Sequence, residues 1–82
     1  MEKSEKSRHL CLRALPVGES AFIESVDMPP RQRTRLSALG MSAGAEISCL
    51  GKAPFGDPSA YLVGDRVLAI RGADAEKIYC VI

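Results

Sequence analysis

The sequence has little of the residues on which catalytic and metal sites most often depend. It contains one histidine, three cysteines and no tryptophan in 82 residues. A catalytic triad needs a histidine held beside a nucleophile, but His9 lies in a polar N-terminal stretch. Neither a GxxxxGK[ST] nor a GxGxxG motif occurs, which excludes the common phosphate-binding loops of nucleotide enzymes. The sequence therefore predicts a protein that is not an enzyme.

Charge of one sign and long apolar runs are also missing. Eleven Lys and Arg residues balance ten Asp and Glu residues, so no net field attracts nucleic acid or an anionic membrane. The apolar stretches are far shorter than the roughly 20 residues of a membrane-spanning helix, and the N-terminus lacks the apolar core of a secretory signal. The sequence predicts a cytoplasmic protein with no nucleic-acid partner and no direct membrane insertion.

The cysteines indicate neither a disulfide framework nor a structural zinc site. Cys11, Cys49 and Cys80 are an odd number without a CxxC spacing, so we predict reduced thiols. His9 and Cys11 are two residues apart and would share one side of an extended segment. They form the metal hypothesis, a weak site for zinc or ferrous iron that needs further ligands. We predict that the protein requires no cofactor.

The length of the chain suits one domain with a single core. Residues 1–9 are polar and charged and are predicted to form a flexible tail, and residues 10–82 are predicted to form the domain. Its first clear strand runs from Glu19 to Asp27. The apolar pattern changes phase between Ile23 and Val26, which predicts a bulge that curls the sheet.

A short helix is predicted after Met28-Pro29-Pro30, because proline ends a strand and suits the first turn of a helix. The helix runs from Arg31 to Leu39. Gly40 fits the left-handed position after it, and Met41 is placed to make the hydrophobic contact of such a cap. Glu46 to Lys52 then returns to the alternation of a strand.

A β-hairpin is the clearest local signal. Gly64-Asp65 is a two-residue connection between predicted strands Ser59 to Val63 and Arg66 to Arg71. This turn predicts four cross-strand pairs: Tyr61 with Leu68, Val63 with Arg66, Leu62 with Val67, and Ala60 with Ala69. Both faces of the hairpin are largely apolar. One must face the core, and the other needs a cover, either the helix and N-terminal segment, which we favour, or another protein.

The remaining elements complete an all-β fold with one or two short helices. Ala73 to Lys77 reads as one helical turn, and Ile78 to Ile82 alternates as a closing strand. Short antiparallel strands in a chain of this length favour a small, SH3-like, five-stranded, partly open barrel over a sandwich. The pattern alone separates an SH3-like barrel only weakly from an OB-like one.

Two spaced motifs resemble the FeoA family. They are the run from Arg35 to Ile47 and the loop Ala53-Pro54-Phe55-Gly56-Asp57-Pro58. The same order continues at three further places: Leu15 to Glu19, Leu68 to Arg71 and Ala75 to Ile78. The sequence departs from the family pattern at Ala43, where a proline is common, and at Gly72-Ala73-Asp74, where charged residues are usual. Neither departure is expected to change the fold, and the small helix should survive.

The resemblance implies an SH3-like fold and a role beside FeoB, the membrane ferrous iron transporter with a cytoplasmic GTP-binding domain. FeoA-like proteins are thought to bind and modulate that transporter, and the family has no catalytic residues to carry over. The residues themselves indicate a contact surface that combines charge, apolar area and rigid turns. Its predicted members are Arg31, Arg35, Leu39, Met41, Pro54, Phe55 and Asp57.

Other functions stay open. The C-terminal SH3-like domain of iron- or manganese-dependent repressors shares the same style of motif, but the chain has no room for the helix-turn-helix that precedes it there. A domain that senses metal by binding ferrous iron or zinc directly is the alternative to the accessory role. Whether the protein activates or restrains transport, whether nucleotide controls its binding, and whether it self-associates are not set by the sequence.

Overall fold

Six short strands make one antiparallel sheet in the computed structural model, which describes residues 8–82. The strands are β1 (His9–Cys11), β2 (Ser20–Val26), β3 (Glu46–Lys52), β4 (Ser59–Val63), β5 (Arg66–Ile70) and β6 (Ile78–Val81). The helices are α1 (Pro30–Ala38) and α2 (Gly72–Ala75), Leu12–Ala14 forms a 3₁₀ turn, and Pro54–Gly56 forms a tight turn whose central residue is not helical. The sheet order is β1-β6-β2-β3-β4-β5, so β1 and β5 are its edges and the barrel is not closed. The predicted fold class is confirmed, with one strand more than expected.

The additional strand is β1. It pairs with β6, and His9 lies opposite Val81. Residues 1–7 of the predicted tail lie outside the described residues, whereas His9 itself belongs to the sheet. A three-residue edge strand is held by backbone hydrogen bonds to its neighbour and needs no apolar alternation, so the sequence pattern did not reveal it.

The predicted bulge in β2 is present. The register between β2 and β6 shifts between Ile23 and Ser25. On its other side, the carbonyl of Ile23 accepts a hydrogen bond from the N–H of Gly44 at 2.7 Å, and the N–H of Ile23 donates to Ala45. The extra residue bends β2, which pairs with β6 on one side and with β3 on the other, and the bend helps the sheet to curl around the core.

The β4–β5 hairpin has the predicted register, and all four predicted pairs are found. Gly64 has a φ of 63° and Asp65 does not have a positive φ, which is the pattern of a type II′ turn. The inward face carries Tyr61 and Val63, which are buried. The outward face is only partly covered, because Val67 remains 63% exposed. The expected internal cover therefore does not extend to β5.

The end of α1 follows the predicted cap. Gly40 has a φ of 96°, its N–H donates to the carbonyl of Ser37, and the N–H of Met41 donates to that of Leu36, both at 2.9 Å. This pair of bonds is the Schellman motif, in which the residue after the glycine makes a hydrophobic contact. Met41 accordingly enters the core, while α1 itself contributes no fully buried residue.

The core lies between the sheet and the segment that follows β1. Tyr61 is among its largest fully buried side chains, and its hydroxyl donates to the carbonyl of Leu12 at 3.4 Å. Burial raises the pKa of Tyr61, so this hydroxyl remains a protonated donor at neutral pH. The largest other fully buried side chains are Leu12, Leu15, Ile23, Met41, Ile47, Cys49, Ile78 and Cys80. The domain is thus closed over its interior by residues from nearly every element.

Candidate partner-binding surface

The loop between β3 and β4 displays a phenylalanine in an unusual way. Phe55 is fully exposed, at 102%. Its φ of 71° and ψ of 6° place it in left-handed backbone space, which a bulky L residue adopts rarely. Phe55 therefore gains no stabilisation from burial, and its backbone conformation is unfavourable for a phenylalanine. The loop holds an aromatic side chain in water in spite of both costs.

Hydrogen bonds fix the base of this loop. The N–H of Ala53 donates to the carbonyl of Pro58 at 3.0 Å, which closes the loop on itself. The N–H of Gly72 donates to Asp57 Oδ1 at 3.0 Å, which ties the loop to the first residue of α2. Because both ends are anchored, Phe55 projects from a supported turn.

The start of α2 is a junction that the sequence pattern did not reveal. Gly72 is buried, and a Cβ added there would lie 3.0 Å from Cζ of Arg13. The guanidinium of Arg13 crosses this glycine and forms an ion pair with Glu76. The departure from the family pattern at Gly72 leaves room for that arginine. As predicted, the small helix survives the departure.

A groove separates α2 from α1. Arg35, Gln32 and Leu36 line it from α1, Arg71 and Asp74 line it from the other wall, and its volume is about 230 Å³. Asp57 therefore contacts the first residue of α2, and Arg35 lines the same groove as Asp74 of that helix. The helix α2 brings two predicted surface residues, Arg35 and Asp57, into one neighbourhood.

Other predicted members of the surface lie elsewhere. Met41 is 1% exposed, so it belongs to the core and cannot serve as a direct contact in this conformation. Leu39 is partly buried and lines a second groove, of about 620 Å³, beside Leu62 and the β4–β5 turn. Arg31 is exposed near the start of α1. We define the Phe55 surface as the four residues that remain near α2: Pro54, Phe55, Asp57 and Arg35.

One carboxylate lies next to one of the residues of the metal hypothesis. His9 Nδ1 lies 3.0 Å from Glu24 Oε1, and both side chains are exposed. Within residues 8–82, no group of three or more His, Cys, Asp and Glu side chains is arranged to hold a metal ion. Burial raises the pKa of Cys80 to about 11, so this cysteine is a protonated thiol at neutral pH. The hypothesis remains restricted to His9 and Cys11, with Glu24 beside His9.

Neither helix of residues 8–82 is long and apolar enough to cross a membrane, since α1 has nine residues and α2 has four.

Comparisons with known proteins identify one family. The FeoA domain family model matches residues 10–82. A solution structure of the FeoA protein from Chlorobium tepidum is 34% identical, with a TM-score of 0.82 over 89% of this chain and 70% of that chain. The chain matches none of the curated proteins with which it was compared.

Two further structures bear on the fold and on metal. The FeoA of Stenotrophomonas maltophilia, solved in complex with zinc, is 32% identical with a TM-score of 0.74, covering 87% of this chain and 88% of that chain. It is described as a prokaryotic SH3-domain protein and suggested to be a ferrous iron transport activating factor. A manganese-dependent transcriptional repressor, 17% identical, matches 93% of this chain but 41% of its own, with a TM-score of 0.75. That likeness concerns the fold alone, and the predicted SH3-like architecture is confirmed.

Proposed function

The chain belongs to the FeoA family, which is associated with ferrous iron transport, and we propose that it is a cytoplasmic accessory protein that binds and modulates the transporter FeoB. The contact is between proteins, and it is made with the cytoplasmic region of FeoB. The Phe55 surface is the part of this domain that meets the transporter.

The observation that carries this proposal is the exposed, left-handed Phe55. Burying a phenylalanine side chain is worth about 1.5–3 kcal/mol, none of which the isolated domain obtains from Phe55. The backbone conformation costs about a further 1–3 kcal/mol. A partner with an apolar pocket would gain the burial energy, and aromatic anchors in such pockets dominate binding at many interfaces.

The surroundings of Phe55 suit such an anchor. The hydrogen bonds at Ala53 and Asp57 hold the loop before binding, so little conformational entropy is lost when a partner closes on it. Arg35 and Arg71 are exposed on the two walls of the neighbouring groove. Their guanidinium groups would supply a polar rim for carboxylates on the transporter.

The direct test is a calorimetric titration of the purified chain against the cytoplasmic region of FeoB, with and without guanine nucleotide and ferrous iron. We expect saturable binding, and we expect Phe55→Ala to weaken it by roughly 30-fold or more, as for an aromatic hot spot. Absence of binding in every one of these states would contradict the proposal.

Phe22→Ala is the matched control, because Phe22 is another exposed phenylalanine, half-exposed on the outer face of β2. Phe22 lies opposite Glu46 at the start of β3, whereas Phe55 follows Lys52 at its end. The two ends of this seven-residue strand are roughly 20 Å apart. Phe22→Ala should therefore leave transporter binding unchanged, and an equal loss in both variants would exclude the Phe55 surface as the specific contact.

Direct metal sensing is the second candidate, favoured by the carboxylate that His9 meets at Glu24. If it is correct, the chain should bind zinc or ferrous iron in a titration, and both His9→Gln and Cys11→Ser should weaken that binding. Retention of full affinity in both variants would exclude this site. The readout is independent of FeoB.

A further inference from the structure

The strand β5 has a free edge. It pairs with β4 on one side and is the last strand of the sheet on the other. A two-residue turn makes its flanking residues, Val63 and Arg66, a hydrogen-bonded pair, and such pairs alternate along an antiparallel ladder. The N–H and C=O groups of Val67 and Ala69 therefore point away from β4. Within residues 8–82 no other element supplies backbone partners for them.

This edge lacks most of the features that usually prevent strands from pairing. After Arg66 the strand reads Val-Leu-Ala-Ile, without proline or a further charge. Arg66, the one charged residue of β5, lies at its first position, opposite Val63 and outside the central residues Val67 to Ala69. The register with β4 is regular over all five residues, so no bulge twists the edge away. Val67 and Ala69 are exposed, which leaves their backbone groups open to another strand.

We propose that two copies of this chain associate through antiparallel pairing of β5 with β5, centred on Leu68. In this register Val67 of each copy lies opposite Ala69 of the other, and both are residues with free backbone groups. Each of these two pairs exchanges two N–H···O=C bonds, so the contact contains four backbone hydrogen bonds. The two six-stranded sheets would become one continuous sheet across a two-fold axis.

The charges at the ends of β5 select this register. Asp65 precedes the strand and Arg71 follows it, and both are exposed. Pairing centred on Leu68 places Asp65 of each copy opposite Arg71 of the other. Centring on Val67 would place Asp65 opposite Ala69, and centring on Ala69 would place Arg71 opposite Val67. Opposite charges directly across a ladder are stabilising, so the sequence of this edge is complementary to itself.

The contact is short, and the dimer is expected to be weak and reversible, as small interfaces generally are. Its clearest signature is local. With increasing concentration of the full chain, the amides of Val67 and Ala69 should become protected from hydrogen exchange. The amide of Leu68 should be protected at every concentration, because it bonds to β4. Sedimentation over the same range should show a monomer converting to a dimer.

A chain that stays monomeric up to about 1 mM overturns the proposal, even if a strand of another protein adds to this edge. A dimer whose formation leaves the Val67 and Ala69 amides unprotected overturns it as well. Neither result depends on a variant that must fold.

Ala69→Pro is the sharpest variant. The N–H that it removes faces away from β4, and proline is tolerated at such positions of edge strands, so the monomer should fold with an unchanged circular dichroism spectrum. The dimer loses two of its four backbone bonds and should not form. A dimer of unchanged affinity would exclude the β5 edge.

A charge exchange tests the register. Arg71→Asp should weaken the dimer roughly tenfold, since both symmetric contacts become repulsive. Adding Asp65→Arg reverses both charges and should restore the affinity of the wild type. If the double variant dimerises no better than Arg71→Asp alone, the register centred on Leu68 is wrong.

Discussion

The turns at the two ends of β3 both contain a residue with left-handed backbone, but the residue is a glycine at one end and a phenylalanine at the other. Before β3, the carbonyl of Ser42 accepts a hydrogen bond from the N–H of Ala45 at 3.0 Å, and Gly44 between them has a φ of 93°. After β3, the loop reaches a φ of 71° at Phe55. A glycine occupies the first left-handed position without steric penalty, and an aromatic residue occupies the second.

The fold explains the glycine at position 44, but it does not explain the phenylalanine at position 55. The turn at Gly44 agrees with its local sequence, as foldable chains generally do. At Phe55, local preference and observed conformation disagree, and the side chain gains no burial in return. Disagreements of this kind concentrate at functional sites, which is why we place the proposed interaction surface at the end of β3 rather than at its start.

The largest effect on stability should come from replacing the left-handed glycine before β3, Gly44. Gly44→Val forces a β-branched residue into left-handed space and should lower the free energy of unfolding by about 2 kcal/mol in urea denaturation. A Cβ there meets no atom within 4 Å, so the loss is one of backbone conformation alone. Gly44→Asn, which tolerates this conformation better, should lose less; equal losses would show that the strain argument is wrong.

The next effect concerns the support of the Phe55 loop. Asp57→Ala removes the acceptor of the partly buried Gly72 N–H and should lower the free energy of unfolding by about 1–2 kcal/mol. Asp57→Asn retains an acceptor oxygen and should behave nearly as the wild type. Hydrogen exchange of the Gly72 amide would report the same loss locally, and unchanged protection in Asp57→Ala would contradict this role.

Replacing Phe55 by a residue that suits left-handed backbone should stabilise the domain instead of destabilising it. Phe55→Asn replaces an exposed side chain by one that adopts left-handed backbone more readily, and should raise the free energy of unfolding by about 1 kcal/mol. In a domain of this size that corresponds to roughly 4–8 °C in Tm. The same variant should lose transporter binding. A variant that keeps full binding would remove the functional reason for the strain.

The smallest effect is expected from a substitution that further stabilises the turn before β3. Gly44 is the third residue of a type II turn, which favours proline at the second, and Ala43 stands there. Ala43→Pro should raise the free energy of unfolding by about 0.4–1 kcal/mol through the unfolded chain. Thermal unfolding of Ala43→Gly, which should shift the opposite way, provides the control.

Local rules explain what the sequence predicted well. The turn at Gly64-Asp65 fixes the register of its own hairpin, and the glycine after α1 fixes its own cap. Both structures are determined within about six residues, where a single sequence carries most of the information. The bulge in β2 belongs to the same group, because a change of apolar phase within one strand signals it.

Longer-range features were not predictable in the same way. The sequence places Met41 next to a cap but does not say whether the contact it makes lies on the surface or in the core. The left-handed Phe55 stands beside Gly56, to which a sequence argument would assign such a conformation. The packing of Arg13 over Gly72 joins segments nearly sixty residues apart, which no local pattern encodes.

The pairing of β1 with β6 has a consequence for chain connectivity. The N–H of Ile82 donates to the carbonyl of Arg8 at 2.9 Å, so the first and last described residues are neighbours in space. A short linker could join them, and new termini could open at the turn between Gly64 and Asp65. Such a circular permutant would make β1 and β6 a local hairpin and β4 and β5 a distant pair, with the same sheet at the end of folding.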